Sequence, residues 1–281
     1  MDRYRRYTAA LGDRRTIVWG MGWREFMRLL RSKWVLLVIG RAWLQTLLLA
    51  LTVLPFQTEP QLIHLLLYGD LETGGFRLQL VLLAAITGGQ LISRDLSDQS
   101  IQLYLARPLT RVDYLLARLL TLLLFLLAAL LPNLYLALVQ WTDAGYALAW
   151  LGAHRWMLLA TVGYGLLVAV TFSLLALACS ALTGRSGFAA AGFFLTVYFP
   201  SFMVETGYAL VQDERILLFS VLHLLDMVGH EMFDAPQWAT VYGYSFEVEL
   251  GWRTPFLLLA AVWAATASAV TLRLQRLEVT R

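Results

Sequence analysis

Six apolar runs, each long enough to cross a membrane, are the feature that most limits how this chain can fold. They occupy residues 34–55, 76–93, 114–140, 156–183, 188–204 and 255–272. A helix needs about 20 apolar residues to cross a hydrocarbon core of about 30 Å. Backbone groups in lipid must bond within the protein, so such runs predict helices. We therefore expect an all-α polytopic membrane protein with six transmembrane helices, forming a single transmembrane domain over residues 1–281.

The basic residues predict how these spans are oriented. If the N-terminus is inside, the segments on that side hold 17 of the 22 Lys and Arg residues, and cytoplasmic loops retain such residues. This predicts a multi-pass protein of the cell inner (cytoplasmic) membrane with both termini cytoplasmic. The same basic ends account for the net charge of +3, so no nucleic-acid partner is expected. The single cysteine, Cys179, provides no disulfide framework.

Residues 16–32 form a predicted amphipathic helix ahead of the first span. Its apolar side chains share one stripe and its arginines the opposite one: Trp19, Trp23, Phe26 and Leu30 against Arg24, Arg28 and Arg31. Tryptophan opposite arginine is typical of a helix lying in the headgroup plane. The alternative is a soluble helix packed on a neighbouring domain. The first 33 residues lack the apolar core and cleavage site of a secretory leader.

Residues 94–113 form a charged, amphipathic insert between the second and third spans. Residues 95–106 predict a short helix, which ends at Arg107 because a residue before proline, here Pro108, is pushed out of the helical region. Thr110 and Asp113 then have the spacing of a capping box and begin the third span. Helix, corner and helix together predict a lever connected directly to both spans. The other reading of the arginines here is ordinary anchoring on the cytoplasmic side.

The run LARPLTRVDYLLAR, preceded by Asp95, resembles the first cytoplasmic loop of ATP-binding-cassette type-2 permeases. Among these it is most similar to the single-domain permeases that include the nitrous-oxide-reductase copper-maturation permease. The resemblance implies a coupling helix that docks on a separate ATPase subunit, present in two copies. The implied coupling residues are Asp95, Asp98, Gln99, Ile101, Tyr104, Arg107, Pro108 and Arg111. It also implies a homo- or heterodimer of permeases, with Gln90, Thr196 and Tyr198 on the substrate path between protomers.

Missing residue types exclude other functions. A P-loop needs lysine before Ser or Thr to reach the phosphates, and the only lysine, Lys33, precedes Trp34. We therefore expect no enzyme activity and no bound cofactor in this chain, with ATP and Mg held by the partner ATPase. We expect Arg41 to be the one ionisable group within the spans, which disfavours an ion-coupled carrier and favours a hydrophobic or amphiphilic cargo.

Residues 205–253 form a long acidic segment on the predicted outer side, where an extracytoplasmic partner could bind. Its apolar run 216–228 is too short to cross and predicts a re-entrant or surface helix. His223, Asp226 and His230 follow one helical face. That spacing suits a metal, but a solvated polar face is the preferred interpretation, and no metal site is expected.

These observations favour the membrane subunit of an ATP-driven exporter that couples hydrolysis by a separate ATPase to substrate movement. The alternative is a membrane scaffold or assembly factor that recruits a cytoplasmic partner without transporting anything. Both hypotheses depend on the water-facing insert at residues 94–113.

Overall fold

The computed structural model of the chain describes residues 14–53, 74–100, 110–139, 155–233, 238–241, 244–247 and 251–279. Within them, nine α-helices and one 3-10 helix are accompanied by two short strands. The helices are α1 Arg14–Leu30, α2 Lys33–Val53, α3 Gly74–Leu91, α4 Ser93–Ser97, α5 Arg111–Val139, α6 Arg155–Leu182, α7 Ser186–Val211, the 3-10 helix Glu214–Phe219, α8 Val221–Met232 and α9 Arg253–Val279. The strands are β1 Trp238–Val241 and β2 Tyr244–Glu247.

Helices lie at all six apolar runs, which confirms the helical fold class for the bulk of the chain. Among the residues that the structure describes, five stretches are long and apolar enough to cross a membrane: Phe76–Ser97, Arg111–Pro132, Leu159–Leu182, Ser186–Val211 and Arg253–Arg276. The first run forms α2. One feature departs from an all-helical plan. β1 and β2 pair antiparallel, with Trp238 opposite Glu247 and Val241 opposite Tyr244, so the 205–253 segment contains a small hairpin.

The centre of the bundle is formed by α3 and α6. In the most apolar stretch of each, 78% of residues are buried, against 28% in α7 and 17% in α9. Glycine permits the central contact, because a Cβ on Gly88 would stand 2.6 Å from Ala176 Cβ. Gly89 similarly lies against the backbone of Ala190. Small residues that allow close helix approach are typical of packing in lipid.

α1 packs against α5 rather than standing apart from the bundle. Gly22 lies against Leu120, and the Thr121 hydroxyl donates to the Gly22 carbonyl at 3.2 Å. The rings of Phe26 and Phe125 are 4.5 Å apart. The predicted apolar stripe is therefore divided. Phe26 faces the protein core, whereas Trp19 and its neighbour Trp23 stay exposed.

The apolar run 216–228 is divided at Ser220. The 3-10 helix ends there, and α8 begins with the Ser220 hydroxyl accepting from the His223 amide. The inward face of α8 is closely packed, with Leu222, Leu224 and Leu225 buried. α8 is thus a packed element of the fold, at the same end of the bundle as the start of α3.

Candidate functional site

α3 continues through a one-residue break into the short helix α4, which carries Asp95. The break at Ile92 is stabilised by α6, because the amides of Ile92 and Ser93 both donate to Ser180 Oγ, at 3.0 and 2.9 Å. The Ser180 hydroxyl in turn donates to the Gly89 carbonyl. The start of α4 is therefore bonded through Ser180 to both α3 and α6.

The Asp95 carboxylate faces the bundle and is saturated with donors. Its Oδ2 accepts from the Tyr114 hydroxyl at 2.6 Å and from the Arg118 guanidinium. Its Oδ1 accepts from Ser100 Oγ at 3.1 Å. The side chain is only 13% exposed. Asp95 therefore holds α4 against α5 and closes the turn that follows α4.

Arg118 extends this network to α1. It is 6% exposed, and a guanidinium nitrogen lies 3.6 Å from Glu25 Oε1, while the guanidinium carbon lies 5.1 Å from the centre of the Tyr114 ring. Glu25 Oε1 also pairs with Arg28 on the outer side of α1. We call Glu25, Asp95, Ser100, Tyr114 and Arg118 the Asp95 junction. It joins α1, α4 and α5.

A buried network of this kind acts mechanically. Removing one partner of a buried ion pair leaves an uncompensated charge at a cost of about 3–5 kcal/mol. The three helices are therefore strongly favoured to move together. Because Arg118 binds both Asp95 and Glu25, the network fixes the geometry of the three helices.

The loop that leaves the Asp95 junction turns sharply. α4 ends at Ser97, and Gln99 has φ 53°, a left-handed conformation that ends a helix. The prediction of one continuous helix over 95–106 is therefore wrong in its first part, because the Asp95–Ser100 contact closes a turn there. Asp98 is exposed and lies 3.6 Å from Arg94.

Of the predicted coupling residues, Asp95, Asp98, Gln99 and Arg111 are described. Asp95 is half-buried in the junction, Asp98 and Gln99 are exposed on the turn, and Arg111 is half-buried at the start of α5. The remaining ones lie outside the described residues: Ile101, Tyr104, Arg107 and Pro108.

The capping box at the start of α5 is confirmed. The Thr110 amide donates to Asp113 Oδ2 at 2.9 Å, and the Asp113 amide donates back to Thr110 Oγ1 at 3.3 Å. These reciprocal bonds satisfy amides that a helix start leaves without partners. α5 is therefore helical from its first residue, Arg111, through the junction at Arg118.

A second buried ion pair lies at the opposite end of α3. Arg77 donates to both oxygens of Asp226 on α8, one at 3.0 Å, and lies 3.5 Å from the Tyr164 hydroxyl of α6. We call Arg77, Tyr164 and Asp226 the Arg77 junction. The expectation that Arg41 would be the one ionisable group in the spans is wrong, since Arg77 is buried within the apolar stretch Phe76–Ser97. An ion pair with a residue 149 positions away explains its place there.

The polar face of α8 is used for packing. Burial lowers the pKa of His223, Asp226 raises it and Arg77 lowers it. His223 and His230 are both buried, so a solvated polar face, the preferred sequence interpretation, is wrong. Asp226 binds Arg77, and among the described residues no group of three acids, histidines or cysteines could hold a metal.

The three predicted path residues do not form a cluster. Gln90 is half-buried one residue before the end of α3, with its side-chain amide donating to the Ile86 carbonyl at 2.7 Å. Its neighbour Gly89 lies level with Ser186 and Ala190 at the start of α7. Thr196 and Tyr198 are at least six residues further along α7, or about 9 Å. Thr196 is exposed, and Tyr198 packs on Phe194.

An apolar cavity of about 390 Å³ lies between α6, α8 and α9. Its walls are mostly apolar, and its lining residues are Gly163, Leu167, Val228, Glu231, Met232, Trp252 and Phe256. It lies at the Arg77 end of the bundle, and none of the predicted path residues lines it.

Sequence reasoning missed the role of Glu25 and treated Arg118 as part of a motif and as an anchoring charge. One signal was available. Tyr114 and Arg118 are spaced i, i+4 and therefore share one face of α5. Two polar side chains on one face near the start of a span predict that both bind the same partner residue. No comparable local signal links Glu25 to either, because the two helices meet only in the folded chain.

Residues 19–228 match the family model described as "ABC-2 family transporter protein". The match covers most of the chain, from α1 into α8, and includes both junctions. No curated protein matches the chain.

Proposed function

The chain belongs to the ABC-2 transporter family, and on that premise we propose that it is the membrane subunit of an ATP-driven exporter. Hydrolysis is supplied by a separate ATPase, present in two copies, which binds ATP and Mg. A second permease copy completes the transport path. The chain itself is not an enzyme, because its only lysine cannot form a P-loop.

The proposed placement has six spans, α2, α3 with α4, α5, α6, α7 and α9, in the inner membrane with both termini cytoplasmic. Basic residues concentrate on that side. α1 lies at the cytoplasmic surface, supported by its exposed Trp19 and Trp23. The 205–253 segment lies outside, with α8 as a re-entrant helix.

The Asp95 junction is the observation that carries this proposal. It binds the base of the 94–113 loop to α1 and α5 through a buried network, while the backbone of Ile92 and Ser93 bonds to α6. A loop meant only to connect two spans needs no such attachment. A force applied to the loop is instead delivered to four helices at once.

We assign two roles to the predicted coupling residues. Asp98, Gln99 and Arg111, together with Ile101, Tyr104, Arg107 and Pro108, contact the ATPase. Asp95 is a positioning residue, since its carboxylate already binds Arg118, Tyr114 and Ser100. Closure of the ATPase dimer tilts α3 and α5 and opens a path past Gln90, Thr196 and Tyr198.

Co-purification with an ATPase expressed together with the chain tests the proposal. We expect wild type to retain the ATPase, and the triple variant Arg107→Ala, Pro108→Ala, Arg111→Ala to lose it. Arg273→Ala with Arg276→Ala is the matched control, because it removes exposed charge from the same side of the bundle and should retain the ATPase.

The second measurement is ATP hydrolysis by the purified complex in lipid nanodiscs. We expect hydrolysis to rise several-fold over the isolated ATPase, and the docking variant to lose this rise. An ATPase that never co-purifies, or whose turnover is the same with and without the membrane chain, supports the scaffold function and overturns the exporter.

A further inference from the structure

Three faces follow one another around α1. At about 100° per residue, the first faces α5 and contains Gly22, Phe26 and Leu29, all buried. The second contains Trp19, Trp23 and Met27, all exposed. The third is basic and is exposed at each position: Arg24, Arg28 and Arg31. Packing against α5 covers only the first face, so the aromatic face and the basic face both point away from the protein.

The aromatic face suits the boundary between lipid chains and headgroups. Trp19 and Trp23 are stacked with their rings 6.4 Å apart and 8° from parallel, at 53% and 44% exposure. Tryptophan is enriched at that boundary, because its ring is apolar and its N–H is polar. The adjoining basic face is therefore held at the level of the lipid phosphates.

Lys33 adds a fourth positive charge within reach of this level. It begins α2 three residues after α1 ends at Leu30, and it is exposed. Arginine matches phosphate oxygens with paired N–H groups. Basic clusters next to a span are also attracted to anionic lipids of the cytoplasmic leaflet.

We propose that the basic face of α1, Arg24, Arg28 and Arg31 with Lys33, binds the headgroups of anionic phospholipids. The site rests on the proposed function only in placing α1 at the cytoplasmic surface, and binding requires no ATPase. The lipid bilayer is the occupant, since a soluble phosphate would leave the outer faces of Trp19 and Trp23 in water.

Bound lipid would also act on the Asp95 junction. Glu25 Oε1 is shared between Arg28, whose side chain is 51% exposed, and Arg118, whose side chain is 6% exposed. A lipid phosphate at Arg28 competes with Glu25 for that guanidinium. Glu25 then turns fully to Arg118, so anionic lipid tightens the attachment of α1 to α5.

Selectivity for spin-labelled lipids tests the site on the purified full chain in nanodiscs. The fraction of immobilised label is compared for phosphatidylglycerol and phosphatidylcholine. We expect wild type to prefer phosphatidylglycerol, and the variant Arg24→Gln, Arg28→Gln, Arg31→Gln to lose most of that preference. Replacement of the same three residues by lysine should retain the preference, which separates loss of charge from loss of fold.

A matched control removes three exposed arginines elsewhere on the same side: Arg185→Gln, Arg273→Gln and Arg276→Gln. Its preference should equal that of wild type. An equal loss in this control would overturn the site, since the effect would then follow net charge alone. Displacement of phosphatidylglycerol by millimolar inorganic phosphate would also overturn it, because the face would then bind a free anion. Either result leaves co-purification of the ATPase unaffected.

Discussion

The two ends of α3 are both held by a buried arginine, yet the two attachments differ in what surrounds them. At the Asp95 junction, Arg118 serves two carboxylates, and one of them belongs to α1, at the edge of the bundle. At the Arg77 junction, one arginine binds both oxygens of Asp226 on the packed helix α8. The first attachment leads to an exposed turn at Asp98 and Gln99, whereas the second is enclosed by packed helices.

The difference indicates that the two ends of α3 have different roles, one in coupling and one in stability. In the proposed mechanism, α3 is held at both ends, so displacement of the loop at the Asp95 end is carried along α3 to α8. The Arg77 junction is then the fixed far end of the proposed lever. The comparison predicts that damage at the Asp95 end uncouples the protein, and that damage at the Arg77 end destabilises it without affecting ATPase binding.

Arg118→Met should produce the largest effect, because it leaves both Asp95 and Glu25 without their shared cation. We expect the free energy of unfolding to fall by about 3–5 kcal/mol, measured from thermal unfolding in nanodiscs. Stimulation of ATP hydrolysis should be lost as well.

The triple variant Arg118→Met, Asp95→Asn, Glu25→Gln separates the two effects. It removes the charges together, so stability should largely return while stimulation of hydrolysis stays lost. Recovery of stimulation in this variant would show that the Asp95 junction is structural only.

Arg77→Met breaks the attachment at the other end. Asp226 is then buried without its cation, and the free energy of unfolding should fall by about 3 kcal/mol. The ATPase should still co-purify at the wild-type ratio. Pairing the change with Asp226→Leu should restore most of the stability, and a double variant as unstable as the single one contradicts the ion pair. Loss of the ATPase from folded Arg77→Met would contradict the separate roles assigned to the two ends of α3.

Each junction also contains a tyrosine, and replacing these tyrosines tests the two ends of α3 with smaller expected effects. Tyr114 donates to the charged Asp95 at 2.6 Å, whereas the Tyr164 hydroxyl lies 3.5 Å from Arg77. A hydrogen bond to a charged group contributes about 1.5–3 kcal/mol. Tyr114→Phe should therefore lower the free energy of unfolding by that amount. Tyr164→Phe should lower it by less than about 1 kcal/mol, and equal losses would contradict the difference in geometry.

The sequence predicted the elements that local rules determine. Apolar runs gave the helices, and the spacing of Thr110 and Asp113 gave the start of α5, because capping depends on residues three apart. The same rules failed in the described first part of the predicted helix, at residues 95–100. There, the bond from Ser100 to Asp95 closes a turn and so ends the helix that periodicity alone would extend.

The junctions depend on contacts that no local rule describes. Arg77 and Asp226 are 149 residues apart, and neither has a neighbour in sequence that indicates its partner. Arg118 and Asp95 are only 23 residues apart and fall within the motif, so resemblance pointed to the region though not to the ion pair. Burial of a charge is decided by how helices pack, which requires the fold.

Acid should weaken the Arg77 end selectively, by the smallest of the expected effects. Burial holds the pKa of His223 below its usual value, with Asp226 raising it and Arg77 lowering it. As the pH falls through about 6.5, His223 gains a proton in the unfolded chain but resists it in the folded one, so stability is lost. The slope from this residue cannot exceed about 1.4 kcal/mol per pH unit. Thermal unfolding between pH 7.5 and 5.5 should show a decline in wild type that is reduced in His223→Leu. If stability falls with pH equally in wild type and His223→Leu, His223 is excluded as the cause. If it falls less in His223→Leu, the acid-sensitive contact lies on α8, since the Asp95 junction includes no histidine.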